Sequence, residues 1–164
     1  MSSHQLSESI EDYLEVILEL EKNNKVARAK DIAARLNINR GSVTCGLKNL
    51  TEKGLINYQP YSYITLTPQG KRIASEVTRR HEVLRDFLEN ILGVDAKTAE
   101  NNACRMEHAI DRQTVDRLVC FIDYIHQCPR TGKNWLQAFT KYCSADKLES
   151  LDCIACIKEM MPKP

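Results

Sequence analysis

Ala29-Lys-Asp-Ile-Ala-Ala-Arg-Leu36, then Asn37-Ile38-Asn39, then Ser42-Val-Thr-Cys-Gly-Leu-Lys-Asn-Leu50 follow one another closely, and their reading decides the fold. From Arg28 to Leu36 the pattern is short and amphipathic and predicts a helix. The asparagine-flanked tripeptide predicts a turn, and Ser42 to Leu50 predicts a second helix. Gly54 stops that helix, after which Leu55-Ile56-Asn57-Tyr58 and Tyr63-Ile64-Thr65-Leu66 read as β segments joined by Gln59-Pro60-Tyr61-Ser62. Two helices about a tight turn, followed by a hairpin, is the order of a winged helix-turn-helix. In that arrangement the second helix enters the major groove and the hairpin, the wing, reaches along the backbone.

Working outward, Ser7 or Ser9 is placed to cap a preceding helix with apolar positions Ile10, Leu14, Ile17, Leu18 and Leu20, ending near Asn23-Asn24. Beyond the wing, Pro68 opens a long helical stretch to about Leu92, and Gly93 ends it. A helix from Asp95 is expected to include Cys104 to Ile110, and another from Thr114 closes at Cys128-Pro129. The expected architecture is therefore mainly α. Residues 1–70 form a winged helix-turn-helix with a small β-hairpin wing, 71–127 a helical second domain, and 128–164 a cysteine-containing C-terminal segment.

Composition agrees with a folded chain of this kind. The 164 residues are 43% hydrophobic and 27% charged, which argues against disorder. No run approaches the roughly 18 apolar residues of a membrane span. The start, Met1-Ser-Ser-His-Gln-Leu-Ser, lacks the basic-then-apolar order of a signal peptide, so no membrane partner is expected and the cytoplasm is the expected compartment. The overall charge of +1 is uninformative, but its distribution is not. Between Lys22 and Tyr58 eight basic residues face only Asp31 and Glu52, a local excess of six positive charges that favours double-stranded DNA over a merely solvated helical face. Arg28 belongs to this basic segment. Arg40, Ser42, Thr44 and Lys48 lie at or near the start of the second helix, where hydroxyls meet phosphates or base edges and arginine pairs with guanine. Gly41 leaves room for close approach.

A second group of residues carries different chemistry. Asp12 and Glu15 are three apart and share a face of the first helix, and His81 lies on the long helix beyond the wing. Cys104, Glu107 and His108, at i, i+3 and i+4, are expected on one face of one helix, which would align a thiolate, a carboxylate and an imidazole. Individually each has a bland explanation: solvated acids, a surface histidine, a buried thiol. Together they form the mixed N/O/S donor set of a divalent transition ion.

Six stretches then carry a resemblance: Glu11-Asp12-Tyr13-Leu14-Glu15, Asp31-Ile32-Ala33, Ser42-Val43-Thr44, Leu66-Thr67-Pro68-Gln69-Gly70, Arg80-His81-Glu82 and Ala103-Cys104-Arg105-Met106-Glu107-His108. In order and spacing, from about residue 8 to residue 126, the chain resembles the diphtheria-toxin-repressor family of metal-dependent bacterial regulators. The resemblance implies a repressor without enzymatic activity that dimerises through its helical second domain and binds operator DNA when loaded with Fe(II) or Mn(II). It also implies that Asp12, Glu15, His81, Glu107 and His108 stand where manganese-type members place ligands, whereas Cys104 follows the iron type. A thiolate favours softer ions and the extra carboxylates favour harder ones, so iron is the overlap. Iron-type members carry a glutamate one turn after His81 for a second ion. Here that position is Arg85, and Glu100 occupies the place of another ancillary ligand.

The last four cysteines, Cys128, Cys143, Cys153 and Cys156, follow a C-x14-C-x9-C-x2-C spacing outside this resemblance. Four thiolates close a tetrahedral zinc site or hold an iron–sulfur cluster, with idle thiols as the plain alternative. Zinc is preferred, because a cluster needs shelter that a short tail does not offer. Two other functions compete with a metal-dependent repressor of metal-ion homeostasis. One is a small metallohydrolase at Cys104, Glu107 and His108, for which six ligands leave little open coordination. The other is a redox-sensing regulator that uses the C-terminal cysteines.

Overall fold

The computed structural model describes residues 6–24, 26–59 and 62–127, together with 136, 139, 140 and 143. Its elements run α1 (Glu8–Asn24), α2 (Ala29–Leu36), α3 (Arg40–Glu52), β1 (Ile56–Asn57), β2 (Thr65–Leu66), α4 (Pro68–Asp86), a π-helical turn (Phe87–Ile91), α5 (Ala96–Met106) and α6 (Arg112–Gln127). None of these helices is long and apolar enough to cross a membrane.

The helix-turn-helix forms where local chemistry demands it. Asn37 ends α2 with φ 53° and ψ 44°, a left-handed conformation that asparagine tolerates better than most side chains. Asn39 then caps α3, its Oδ1 accepting from the Ser42 N–H at 2.8 Å. The wing is antiparallel, pairing Ile56 with Leu66 and Asn57 with Thr65. An additional bridge from Ala27 to Ile64 ties it to the segment entering α2. Regular pairing is thus shorter than the two four-residue segments expected from sequence.

The chain divides into two compact units, the first comprising Met1–Glu82 with Glu107–Ala109 and the second Val83–Met106 with Ile110–Pro164. Leu14, Ile17, Ile32, Leu47, Leu50, Leu55 and Ile64 build the core of the first, each at most 2% exposed. Burying such a side chain contributes roughly 1.5–3 kcal/mol, so this cluster is what holds α1, α2, α3 and the wing together. Two glycines are required by contact. At Gly46 a Cβ would lie 2.5 Å from the Tyr13 ring, whose hydroxyl donates to the Ser42 carbonyl at 3.1 Å. At Gly70 a Cβ would lie 2.0 Å from the Leu55 carbonyl oxygen, which also accepts from the Thr67 N–H at 3.0 Å.

In the second unit Leu84, Leu88, Ala99 and Ala103 form one buried cluster, and Ile91, Ile122 and Ile125 another. The helix expected to run unbroken to Leu92 instead widens at Phe87, with the Leu92 N–H donating to the Phe87 carbonyl at 3.0 Å. The extra residue in that turn shifts the apolar phase, so that Leu88 serves the first cluster and Ile91 the second. Asp95 and Asp111 cap the last two helices, accepting from the N–H groups of Thr98 at 3.1 Å and Thr114 at 2.8 Å.

Candidate metal centre and nucleic-acid interface

The helix expected to carry Cys104, Glu107 and His108 on one face ends at Met106, which is a correction to the sequence reading. After it the chain turns, with the Ile110 N–H donating to the Met106 carbonyl at 3.1 Å, before Asp111 starts α6. The physical reason lies in the partners of the turn. Glu107 Oε2 lies 2.6 Å from His81 Nδ1, and His108 meets Glu11 and Asp12 of α1. These contacts draw Glu107 and His108 into the first unit, whereas Cys104 remains exposed on α5 in the second.

Asp12, Glu107 and His108 each offer a ligand atom within 4.8 Å of the others. His108 Nε2 lies 3.0 Å from Asp12 Oδ1 and 3.3 Å from Glu107 Oε1. Glu107 is completely buried, and its Oε1 has no hydrogen-bond partner. An ionised oxygen left in that state is costly unless a cation meets it. The trio therefore fits a divalent ion: two hard carboxylate oxygens and an imidazole nitrogen suit manganese, iron or zinc chemistry. The described residues place Glu15 and His81 beside this trio rather than in it.

Electrostatics follow from the crowding. Burial pushes the Asp12 carboxyl above its ordinary value of 3.8, with Glu8 and Glu107 adding to the rise and His108 opposing it. Burial raises Glu15 in the same way from 4.5, reinforced by Glu107 and opposed by His81, a Thr78 hydrogen bond and His108. Burial pulls His108 down, but its hydrogen bond to Glu11 and the charges of Glu107, Asp12 and Glu11 outweigh this and hold it above 6.5. In the metal-free protein a proton on His108 is what reconciles Nε2 with two facing carboxylates.

Sequence reasoning missed Glu11 and Arg80 as parts of the site. Glu11 Oε2 lies 2.9 Å from His108 Nδ1 and accepts from Arg80 Nη2 at 3.1 Å, all three side chains being nearly buried. Each directly precedes a predicted ligand, Asp12 or His81, but a Glu and an Arg on amphipathic helices read as solvated face. Glu100 lies on α5 with its Oε2 3.6 Å from the Arg85 guanidinium. Cys143 is exposed, and Cys128, Cys153 and Cys156 lie outside the described residues.

The basic segment forms a groove between α2, α3 and the wing, lined by Arg28, Lys30, Arg40, Thr44, Lys48 and Tyr63 among others. Arg28 stacks over the Tyr63 ring at 5.3 Å, its Nη2 3.5 Å from the hydroxyl. Arg40, Gly41, Ser42, Thr44 and Lys48 are all exposed on α3. Ser42 has its N–H committed to the Asn39 cap and Thr44 its hydroxyl to the Arg40 carbonyl at 3.0 Å. Lys48 faces Glu52 at 3.9 Å with both side chains largely solvated, a pair too weak to keep the lysine from a phosphate.

Comparison with known proteins assigns the chain to two family domains. Residues 5–64 match the iron dependent repressor, N-terminal DNA binding domain, and residues 67–136 match the iron dependent repressor, metal binding and dimerisation domain. An uncharacterized HTH-type transcriptional regulator, MJ0568 of Methanocaldococcus jannaschii, is 40% identical over 119 residues, covering 72% of this chain and 95% of that protein. The transcriptional regulator MntR of Salmonella typhimurium is 37% identical over 114 residues, 70% of this chain and 72% of the relative. Among solved structures, the manganese regulator SloR superimposes with a TM-score of 0.63 at 30% identity, over 74% of this chain and 56% of its own. The chain thus spans little more than half the length of SloR.

Proposed function

The chain belongs to the iron-dependent (diphtheria-toxin) repressor family, a family of metal-dependent transcriptional regulators and not enzymes, and from that premise we propose that it is a cytoplasmic homodimeric repressor of metal-ion homeostasis. It binds double-stranded operator DNA when loaded with Fe(II) or Mn(II). The observation that supports this best is the trio of Asp12, Glu107 and His108, with a completely buried Glu107 whose Oε1 makes no hydrogen bond, set in the same unit as an exposed basic helix-turn-helix.

In this reading residues 1–70 are the DNA-binding domain, 71–127 the metal-binding and dimerisation domain, and 128–164 a cysteine-containing segment. Asp12, Glu107 and His108 hold the ion, with Glu15, His81 and Cys104 as further donors. A bound divalent cation supplies the positive charge that the facing carboxylates require. The residues do the rest. Asp12 fixes the ion to α1, and Glu107 and His108 fix it to the turn after α5. Metal affinity that differs between DNA-competent and incompetent arrangements is then the switch. Arg28, Arg40 and Lys48 meet phosphate or guanine, Ser42 and Thr44 hydroxyls meet phosphate or base edges, and Gly41 permits close approach.

Cys104 decides between the ions, because it is the one soft donor in a set otherwise made of oxygen and imidazole. Glu100 serves a second ion, and Cys128, Cys143, Cys153 and Cys156 a structural zinc. The test is fluorescence anisotropy with duplex DNA from the gene's own upstream region, in anaerobic Fe(II), in Mn(II) and in chelator. Tight binding only with metal supports the proposal, and equal affinity in chelator overturns it.

A further inference from the structure

Two helices each present a predicted ligand directly preceded by a charged residue, acidic in Glu11-Asp12 on α1 and basic in Arg80-His81 on α4. The two preceding residues meet. Arg80 Nη2 donates to Glu11 Oε2 at 3.1 Å, and His108 Nδ1 lies 2.9 Å from that same oxygen. The side chains of Arg80, Glu11 and His108 are 12%, 10% and 8% exposed, so water competes little for these bonds. One carboxylate oxygen therefore joins α4, α1 and the turn after α5, on the Nδ1 side of His108 and away from the nitrogen that faces Asp12 and Glu107.

We propose that Glu11, anchored by Arg80, is a positioning residue that holds the His108 ring with Nδ1 engaged and Nε2 turned toward Asp12 and Glu107, the orientation in which it takes the metal. This rests on the metal-site reading above and deepens it. A carboxylate accepting at Nδ1 keeps a proton there, so when a cation displaces the proton on Nε2, the nitrogen 3.0 Å from Asp12 and 3.3 Å from Glu107, the ring meets it with the Nε2 lone pair. Arg80 has a separate duty: it neutralises Glu11, which otherwise adds a further negative charge beside Asp12, Glu15 and Glu107, and it fixes the carboxylate that fixes the ring. Removing such an outer partner of a ligating histidine weakens metal binding by about 10–100-fold.

The test uses the full chain, Mn(II) as the probe, and two readouts. These are Mn(II) affinity by EPR titration and the ring-nitrogen NMR shifts of His108 in metal-free protein at a pH where the ring is neutral. Glu11→Leu alone would strand a nearly buried arginine, so it is paired with Arg80→Leu, because removing both partners of a buried pair spares the fold. Glu11→Gln is the conservative variant, whose amide oxygen still accepts from Nδ1. The double leucine variant is expected to lose about 10–100-fold in Mn(II) affinity and to shift His108 toward the Nε2–H tautomer that Asp12 and Glu107 accept from. Glu11→Gln is expected to keep the wild-type tautomer ratio and to recover affinity to within several-fold of wild type. Wild-type affinity in the double leucine variant, or a lost affinity with the wild-type tautomer ratio intact, overturns the positioning role. His108→Ala separates the two levels of argument. If it binds Mn(II) as wild type does, the metal site itself is wrong and the positioning role falls with it. If it fails to bind while the double leucine variant binds normally, only the positioning role falls.

Discussion

Replacing Glu107 by glutamine separates a metal ligand from a structural ion-pair partner. In the metal-free protein the Glu107 charge faces opposing influences. At the outer limit of 4.8 Å from the Asp12 carboxylate repulsion is about 3.5 kcal/mol at an effective dielectric of about 20. Attraction to a protonated His108 at 3.3 Å is about 5 kcal/mol on the same basis. Both shrink because the Asp12 side chain is 38% exposed and solvent penetrates from that side. The difference is further offset because glutamine removes the desolvation cost of a completely buried carboxylate, and the 2.6 Å contact with His81 Nδ1 is kept by the amide oxygen, which accepts from the ring as the carboxylate did. Stability of the apo protein should accordingly change by no more than about 1–2 kcal/mol. Metal binding has no such cancellation, and loss of a charged donor should weaken it at least about 100-fold, the upper end of what outer partners cost. Mn(II) at about 100 times its wild-type Kd stabilises the wild type by about 2.7 kcal/mol. For a chain of this size that raises Tm by about 5–11 °C. In Glu107→Gln the same concentration adds about 0.4 kcal/mol, or about 1–2 °C. Calorimetric melts of both proteins with Mn(II) and with chelator provide the measurement. An unchanged metal-induced shift, or an apo variant destabilised by the roughly 3–5 kcal/mol of a broken buried pair, would refute the ligand assignment.

Metal-free stability should fall as pH rises. Asp12 and Glu15 are raised by burial, so the folded state favours their protonated forms and loses that advantage upward from the ordinary carboxyl range of 3.8–4.5. His108 acts in the same direction: its raised value contributes stability that is complete below 6.5 and lost as pH climbs through the folded value. Metal binding displaces these protons, so the Mn(II)-induced Tm shift should grow over that range, and chelated and loaded melts from pH 5 to 8 check both signs. Gly70→Ala drives a Cβ to within 2.0 Å of the Leu55 carbonyl oxygen, a backbone atom that cannot swing away. It should destabilise by about 1–3 kcal/mol or more in urea unfolding, and a change under about 0.5 kcal/mol would contradict the contact. Cys104→Glu should keep metal-activated DNA binding and move selectivity from Fe(II) toward Mn(II), and an unchanged ratio in paired titrations would remove Cys104 from the ligand set. Arg40→Ala or Lys48→Ala should weaken DNA binding, and a loss uniform across sequences with a salt slope reduced by about one would mark a phosphate contact.

The architecture of the N-terminal half is legible from sequence because its decisive interactions are local. Asn37 ends one helix and Asn39 caps the next through a bond to Ser42 three residues on, and the apolar spacing of α1 and α3 states which faces must be buried. The clustering of Asp12 with Glu15 and the basic charge between Lys22 and Tyr58 are local in the same sense. Other features depended on distance. His108 and Glu11 are 97 residues apart in sequence, and nothing in the spacing of either tells that a histidine of one segment and a glutamate of another share a proton. Helical periodicity carried the reading past Met106 because Glu107 and His108 fit an i+3, i+4 face as well as they fit a turn. Their partners on α1 and α4 settled the matter, since a fully buried carboxylate and a nearly buried imidazole must go where opposite charge or a hydrogen bond awaits them. Arg80 and Glu11 look like solvated surface in the sequence and become the support of the site only once the two helices meet. Sequence by itself determined which residue types the chain has for metal and for DNA. Tertiary structure decided which of the metal donors converge, because convergence follows from long-range packing and the avoidance of unpaired buried charge, neither of which is written in any local pattern.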